Sequence, residues 1–354
     1  MHMADALISP TVGGTLWAVS GGLIAYCART VNRSPRDNLV PMMGVLGAFV
    51  FAAQMINFSI PFTGSSGHLG GGLLLTVLLG PHAAFLVIAS VLTVQAFFFA
   101  DGGLLALGCN LFNLGFFPAF VAYPLIYRNL AKGHDGTRRA WVAAIIAAAV
   151  GLQLGALAVV LETQTSGISD LPFGTFLLLM LPVHLAIGVM EGLATAAIVV
   201  FVTHARPEVL PTASDTGARV SSRSGLLTLA LAAVVTGGVA SWFASTRPDG
   251  LEWSMFKVSG KEERATPGGG IHHALAAVQE QTAFLPDYSF KAPERKSAPA
   301  ELAAPETEPW PAVRAGTSVS GLLGGLLTLA LVCLTGVALR MRGLPCLRKS
   351  EATK

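Results

Sequence analysis

Three nitrogen donors stand together at the start of the chain, in Met1 and His2. They are the terminal amine, the backbone nitrogen of His2 and the His2 imidazole. The bulky His2 is expected to protect Met1 from removal, and a terminal amine has a pKa of about 7.7–8.0, so a metal can displace its proton near neutrality. One further imidazole would complete a square plane of nitrogens, which suits Ni(II) or Cu(II). We predict that His68 supplies it; the alternative is a frayed terminus and an unrelated loop histidine.

Three polar residues interrupt long apolar segments: Asn110 and Asn113, which share one helix face, and His184. By helix rise they lie about 12–16 Å inside their segments. With His68 they form a predicted polar layer near mid-membrane, where polar residues are costly and functional by default. Two interpretations stay open: residues that orient the ligands and the inserted N-terminus, or hydrogen bonds between helices. Glu191, on the same segment as His184, is interpreted as a structural or partner-contacting residue.

The sequence lacks the motifs of several enzyme classes. No GxxxxGK[ST] phosphate loop occurs, so the chain is not expected to hydrolyse ATP itself, and neither HExxH nor GxSxG is present. Its cysteines form no CxxC pair, which argues against a thiolate zinc site. We therefore expect no catalytic residues. The remoter alternatives are an intramembrane metalloenzyme built on His68, His184 and Glu191, and a self-sufficient metal carrier.

The composition indicates which elements must position these residues. Of 354 residues, 53% are hydrophobic and only 12% are charged, whereas soluble domains have about 25% charged residues. The mean hydropathy is +0.62. Because too few charges are available for a polar surface, we predict an all-α integral membrane protein surrounded by lipid. The small net charge of +3 gives no reason to expect a nucleic-acid partner.

Apolar runs that cross a membrane need about 17–25 residues. The stretch 69–80 is shorter, about 18 Å of helix, but the lysines and arginines obey the positive-inside rule only if this stretch also crosses. We therefore predict nine transmembrane helices, with the N-terminus outside and the C-terminus inside. The runs are 8–28, 40–57, 69–80, 81–100, 102–127, 140–161, 173–203, 225–245 and 319–340.

The short stretch 69–80 leaves part of the membrane thickness to the residues before it, Asn57–His68. Irregular backbone at membrane depth persists only where it is buried in protein or lines a cavity. We therefore predict an outward-facing cavity with His68 near its floor.

Changes in composition divide the chain into two predicted units. Residues 1–204 form a seven-helix metal-binding membrane bundle. Residues 225–345 form a second, two-helix unit with a long extracytoplasmic loop, 246–318. Between the units, 205–224 is polar and rich in turn-forming residues, which is typical of a linker, here a cytoplasmic one. Residues 346–354 are expected to be a cytoplasmic tail.

The long outer loop changes in character along its length. Ile271–Gln281 is predicted to form one short helix, and the Pro/Ala/Glu-rich stretch 291–315 is predicted to be disordered. His272 and His273 are expected to be a solvated pair of side chains.

Several motifs occur in order along the first unit. They are MHMADALISP at the start, SSGHLGG at 65–71, LLGPHAAFLVIASVLTVQAFFFADGGLLALGCNLFNLG at 78–115, and HLAIGVMEGLATA at 184–196. Together they resemble the CbiM/NikM family, the substrate-binding (S) components of nickel and cobalt energy-coupling factor (ECF) transporters. The segment PDGLEWS at 248–254 is similar to the accessory N component of the same systems. The chain therefore resembles a natural fusion of the two, which implies that residues 225–345 are an accessory unit.

The resemblance implies that the N-terminus inserts into the bundle and that Met1, His2 and His68 bind the metal. It implies no permanently bound cofactor, since Ni(II) or Co(II) would be the transported substrate. It also implies partner subunits, namely a transmembrane coupling (T) component and a pair of ABC-type ATPases. The accessory loop would act on metal loading through Pro248, Asp249, Gly250, Leu251 and Glu252.

Such a protein would lie in a bacterial plasma (inner) membrane and cross it several times. Four nitrogen donors in a plane favour Ni(II) over Co(II), and the fused arrangement resembles nickel systems. The alternative is cobalt uptake for cobalamin synthesis. The sequence departs from the family pattern at Cys109, where the family has a smaller residue before Asn110. We interpret Cys109 as a packing residue.

Overall fold

The computed structural model describes residues 2–33, 39–132, 136–205, 222–262, 264, 267–291 and 310–351, with the backbone alone for 136, 205, 222, 223 and 340–351. The predicted ligand Met1, most of the linker 205–224 and most of the stretch 291–315 lie outside the described residues. Nearly all regular structure in the described part is helical.

The helices of the first unit follow the predicted apolar segments, because each segment is long, apolar and bounded by turn-forming residues. Within the described residues of the whole chain, six helices are long and apolar enough to cross a membrane, and two shorter apolar helices accompany them. The fold is thus that of an all-helical membrane protein. The helices of the first unit are α1 (Pro10–Arg33), α2 (Leu39–Gln54), α3 (Gly72–Leu79), α4 (Pro81–Phe98), α5 (Leu107–Leu130), α6 (Gly136–Ser166) and α7 (Phe173–Ala205).

The second unit adds α8 (Ser222–Gly238), α9 (Gly250–Ser259), α10 (Gly270–Thr282) and α11 (Ala315–Glu351). The short helix predicted in the outer loop is present as α10. The helix α11 continues into the segment that was expected to be a tail.

The predicted short crossing is shorter still in the structure. Helix α3 has eight residues, which corresponds to about 12 Å. It starts after Gly71, whose φ is +75°, and ends at Gly80, whose φ is +86°; both values favour glycine. Before it, Phe58–Ser59 and Ser66–Gly67 pair as two short antiparallel strands, so the irregular segment contains one small hairpin that the all-α prediction did not include.

Small residues allow α6 and α7 to approach closely. A Cβ atom on Gly188 would lie 2.8 Å from Ala149 Cα, and one on Gly192 would lie 2.4 Å from Ile145 Cα. This GxxxG spacing is a common helix-packing device in membranes. Since Glu191 is adjacent to Gly192, the close contact also holds Glu191 in a defined position.

The accessory unit packs directly against α2 of the first unit. A Cβ atom on Gly324 of α11 would lie 2.0 Å from Phe51 Cζ, and one on Gly336 would lie 2.4 Å from Val40 Cγ1. The glycines therefore admit the side chains of α2 into the surface of α11. This packing brings the outer loop of the accessory unit over the first unit.

Candidate metal site

The N-terminal segment is inserted among the helices and held by its backbone. The amide of Met3 donates to Asn110 Oδ1 at 2.8 Å, and Asn110 Nδ2 donates back to the Met3 carbonyl at 3.2 Å. The Gly103 amide also donates to that carbonyl, at 2.9 Å. The Asp5 carboxylate accepts from the Ala106 amide at 2.9 Å. Asn110 therefore orients the residue next to His2.

His2 lies between a carboxylate and a second imidazole. Its Nδ1 is 3.0 Å from Asp101 Oδ1, and its ring stacks on that of His68, with centroids 5.1 Å apart and planes 3° apart. Because an ionised carboxylate only accepts, Nδ1 is the donor of this contact, and in a neutral imidazole Nε2 would be the unprotonated nitrogen. That Nε2 is buried and has no hydrogen-bond partner among the described residues. If the backbone nitrogen and the imidazole of His2 bind the same ion, the imidazole atom that can reach it is Nδ1, which faces Asp101 in this structure.

The backbone beside His2 requires glycine. Gly102 has a φ of +82°, and a Cβ atom there would lie 2.9 Å from Asn110 Nδ2 and 3.3 Å from His2 Cβ. Larger residues would therefore push the N-terminal segment out of its place.

His68 follows the small hairpin and precedes α3. Its Nδ1 lies 3.2 Å from the Leu69 carbonyl. A cavity is present where the sequence predicts one, and it is large enough, at about 430 Å³, for a hydrated ion; His2 and His68 both line it. Asp101, Asp249 and Tyr288 line it as well.

Glu191 holds the loop that carries His68. Its carboxylate accepts from the amides of Gly70 at 3.2 Å and Gly71 at 3.1 Å. Gln54 Nε2 donates to the Gly70 carbonyl at 2.8 Å. Both oxygens of Glu191 are thus occupied by backbone donors, which agrees with its interpretation as a structural residue.

Asn113 contacts a buried carboxylate that the sequence reasoning missed. Its Nδ2 donates to Glu162 Oε2 at 2.8 Å and lies 3.8 Å from the Met3 sulfur. Glu162 directly follows the apolar run 140–161, and this position could have marked it as a buried partner. Cys109 is fully buried, as expected of a packing residue.

His184 lies on the other side of His68. Its Nδ1 faces the Met180 carbonyl at 2.8 Å, and its Nε2 is buried without a hydrogen-bond partner among the described residues. His68, His184 and Asp249 line one small cavity of about 10 Å³, which is the size of a single water molecule. The predicted polar layer is therefore divided: the two asparagines contact the N-terminal segment, whereas His184 shares a cavity with His68.

The accessory segment Pro248–Glu252 reaches this cavity. Asp249 caps α9 and forms a capping box with Glu252. A Cβ atom on Gly250 would lie 2.9 Å from His184 Cε1, and the Pro248 carbonyl accepts from the Ser66 amide at 2.8 Å. Leu251 is buried. The structure thus brings all of the predicted loading segment beside the candidate ligands.

Helix α10 and the turn after it also contact the N-terminal segment. His272 is buried, and its Nε2 is 2.8 Å from the Ile8 carbonyl, so the expectation that it is solvated was wrong; His273 is exposed. The hydroxyl of Tyr288 donates to Asp101 Oδ2. Burial opposes ionisation of Asp101, but the His2 imidazole and the Tyr288 hydroxyl hold its pKa well below the usual range.

The side chains of the site do not form a complete metal centre by themselves. Among the described residues, no three or more His, Cys, Asp or Glu side chains are grouped as metal ligands. A metal held by His2 and His68 would therefore need further donors from elsewhere, such as nitrogens of the backbone. The chemistry available is nitrogen coordination of a transition metal.

Comparison with known proteins gives the family. The profile described as "cobalt uptake substrate-specific transmembrane region" (CbiM) matches residues 2–209, and the PDGLE domain matches residues 223–341. A putative metal transport protein of Haloquadratum walsbyi is 35% identical over 59% of this chain and 93% of its own length. A putative fused nickel transport protein, NikMN, of Archaeoglobus fulgidus is 31% identical over 94% of this chain and 96% of its own.

A crystal structure of a truncated transition-metal transporter shares 30% identity with this chain, with a TM-score of 0.50, over 58% of this chain and 99% of the other. Other relatives are named either fused nickel transport proteins or cobalt transport proteins. The matches of the fused relatives extend over both the first unit and the PDGLE domain, covering 94% and 82% of this chain. The chain belongs to the CbiM family of substrate-specific components of nickel or cobalt uptake transporters, which are transport proteins and not enzymes.

Proposed function

We propose that this chain binds Ni(II) with high affinity and is the substrate-specific component of an ATP-driven ECF-type nickel uptake transporter. The observation that carries the proposal is the stacked pair His2 and His68, whose parallel rings have centroids 5.1 Å apart and line one cavity. A transition metal that enters this cavity would be within reach of nitrogen donors from both residues.

Nickel is preferred because the proposed donors are nitrogens. They are the His2 imidazole, the His2 backbone nitrogen, the His68 imidazole and, as the sequence predicts, the amine of Met1. Four nitrogens in a plane suit Ni(II) better than Co(II). Co(II) uptake for cobalamin synthesis is the second candidate, supported by relatives named as cobalt transport proteins.

The remoter alternatives find less support. A metalloenzyme would need Glu191 as a base, but the Glu191 carboxylate is engaged by the Gly70 and Gly71 amides. A self-sufficient carrier would need no ATPase. Membership of the CbiM family instead implies ECF partners, which we propose to be a transmembrane coupling component and a pair of ABC-type ATPases.

We further propose nine membrane crossings, with the N-terminus outside and the C-terminus inside. The six long apolar helices, the shorter α2 and α8, and α3 with the irregular backbone before it would make these crossings. The metal-binding bundle would be 1–204 and the accessory unit 225–345. The protein would lie in the plasma membrane, the inner one in a bacterium with two membranes.

The ligands can be tested by titrating Ni(II) into the purified full chain. His2→Ala and His68→Ala should each raise the Kd by more than about 100-fold, because each loses a direct ligand, whereas loss of a group that only orients a ligand costs about 10–100-fold. His204→Ala is the matched control, since His204 is exposed and faces the carbonyl of Val200. Unchanged affinity in both ligand variants would refute the site.

Two further measurements separate the alternatives. Adding an alanine before Met1 should abolish high-affinity binding if the terminal amine is a ligand, and unchanged binding would remove Met1 from the set. Nickel uptake by cells should require the coupling component and the ATPases; uptake by this chain alone would indicate a carrier. Competition between Ni(II) and Co(II) in the same titration decides which metal is preferred.

A further inference from the structure

We propose that Asp5 is a positioning residue for the metal site, because it anchors the N-terminal segment at the depth where His2 reaches His68. The inference rests on the proposed function, since it assumes that His2 and His68 bind one metal ion. Asp5 is not itself a proposed ligand, and it is not among the residues that the sequence predicts for the site.

The Asp5 carboxylate is buried beside the start of α5. Asp5 is 6% exposed, and its Oδ1 accepts from the Ala106 amide at 2.9 Å. Ala106 directly precedes α5 and makes no side-chain cap for this helix. The amides at the start of a helix lack intrahelical acceptors and lie at the positive end of its dipole. Asp5 therefore brings a negatively charged oxygen from the N-terminal segment to the start of a helix that has no cap of its own.

Gly103 allows the two segments to approach this closely. A Cβ atom on Gly103 would lie 1.8 Å from Asp5 Oδ1 and 2.4 Å from the Asp5 backbone nitrogen. The Gly103 amide in turn donates to the Met3 carbonyl at 2.9 Å. The stretch 103–106 thus holds the N-terminal segment at two points, which are the Met3 backbone and the Asp5 side chain.

Asp5 also joins the ligand end of the segment to α1. It begins a short 3-10 turn, Asp5–Leu7, in which the Ile8 amide donates to the Asp5 carbonyl at 3.2 Å. Three peptide units separate Asp5 from His2, and they span at most about 10–11 Å. A displacement of Asp5 is therefore transmitted to His2, because no long linker lies between them that could absorb it.

The carboxylate is an anchor of a different kind from the contacts of Met3. Met3 is bound through neutral groups of Asn110 and Gly103, whereas a hydrogen bond to an ionised acceptor is about twice as strong as a neutral one. Asp5 is the only charged side chain between His2 and Arg29. Since the end of a chain is poorly ordered unless it is tied down, we expect the inserted segment to depend on this carboxylate.

The first experiment is a Ni(II) titration of the purified full chain. Asp5→Ala removes the acceptor and should raise the Kd about 10–100-fold, as is typical when a group that orients a ligand is lost, with a shift of the ligand-field absorption band of bound Ni(II). Asp5→Asn keeps one oxygen but loses the charge, so its Kd should lie between those of Asp5→Ala and the wild type. Asp170→Ala is the matched control, because the Asp170 side chain is 98% exposed and a surface ion pair contributes little.

The second experiment distinguishes anchoring of the segment from a general effect on stability. Without added metal, amide hydrogen exchange of a peptide covering residues 3–9 should be faster in Asp5→Ala, whereas the Tm and the exchange of residues 81–98 in α4 should match the wild type. Gly103→Ala displaces the same carboxylate without removing it, so it should raise both the exchange of residues 3–9 and the Kd. Unchanged exchange of residues 3–9, faster exchange throughout the bundle, or wild-type affinity in Gly103→Ala would overturn the inference.

The outcomes also separate this inference from the proposed function. If His2→Ala abolishes Ni(II) binding while Asp5→Ala stays within twofold of the wild type, the metal site stands and the inference is wrong. If the wild-type chain binds neither Ni(II) nor Co(II), the proposed function fails, and the role of Asp5 in metal binding fails with it even where residues 3–9 exchange faster in the variant.

Discussion

Replacing Glu191 should weaken metal binding although its carboxylate is not a proposed ligand. Glu191 is 2% exposed and accepts from the Gly70 and Gly71 amides at 3.2 and 3.1 Å. These glycines connect His68 to α3. Glu191→Ala would leave two buried amides without an acceptor, and the loop would lose the anchor that holds the His68 imidazole beside His2.

The expected loss of stability follows from the number of backbone amides that are left without an acceptor. Leaving a buried donor unsatisfied costs about 1–3 kcal/mol, so Glu191→Ala should destabilise the ordered loop by about 2–6 kcal/mol. Glu191→Gln keeps one carbonyl oxygen and should cost about half as much. Each 1.4 kcal/mol by which the ordered, binding-competent loop is destabilised raises the apparent Kd about tenfold. The glutamine variant should therefore bind Ni(II) more weakly than the wild type and more tightly than the alanine variant.

Two measurements test this order. Ni(II) titration gives the Kd of each variant, and amide hydrogen exchange of the peptide containing Gly70 and Gly71 reports whether the loop opens. Glu280→Gln is the control, because Glu280 is exposed on α10. Wild-type affinity in Glu191→Ala, with unchanged exchange at the two glycines, would refute the role of Glu191 as the anchor of this loop.

Two further substitutions test how the N-terminus and the accessory segment are held. Gly250→Ala places a Cβ atom 2.9 Å from the His184 ring, and this overpacking should cost about 1–3 kcal/mol and lower the Tm. The control Gly269→Ala has open space around the new Cβ atom and should keep the Tm of the wild type. Equal Tm values for the two variants would contradict the contact with His184. Asn110→Ala removes both hydrogen bonds to the Met3 backbone. It should raise the Kd for Ni(II) about tenfold, because the Met3 amide is left without an acceptor, at a cost of about 1–3 kcal/mol, whereas the Met3 carbonyl keeps the Gly103 amide. The surface control Asn129→Ala should leave that Kd unchanged. An equal Kd in both variants would argue against the role of Asn110 in holding the N-terminal segment.

Features that depend on local sequence were predicted well. The helix bounds follow from apolar runs and from breaks such as Gly80-Pro81, because a helix satisfies its own backbone hydrogen bonds and needs no distant partner. The irregular segment before α3 followed from the length of one run. Its hairpin did not, because the pairing of Phe58 with Gly67 depends on a turn that no strong sequence signal marks.

The contacts of the polar residues were harder to predict. The sequence singled out Asn110, Asn113 and His184 because polar groups inside apolar runs are rare, but it left open whether they orient ligands or join helices. Asn110 does contact the residue after His2. By contrast, the partner of Asn113 is Glu162, which stands 49 positions away; no periodicity relates the two.

The sequence by itself determined that this chain is a membrane protein, which apolar runs form its long helices, and which donors, His2 and His68, could bind a metal; it did not predict α9 (Gly250–Ser259). Those conclusions rest on composition, apolar run length and ligand chemistry, all of which are local. Only the tertiary structure decided that Asp101 contacts both His2 and Tyr288. The contact between Asp101 and Tyr288 joins residues that are 187 positions apart. Such a contact depends on how the accessory unit packs against α2, and that packing is a property of complementary surfaces that no single segment contains.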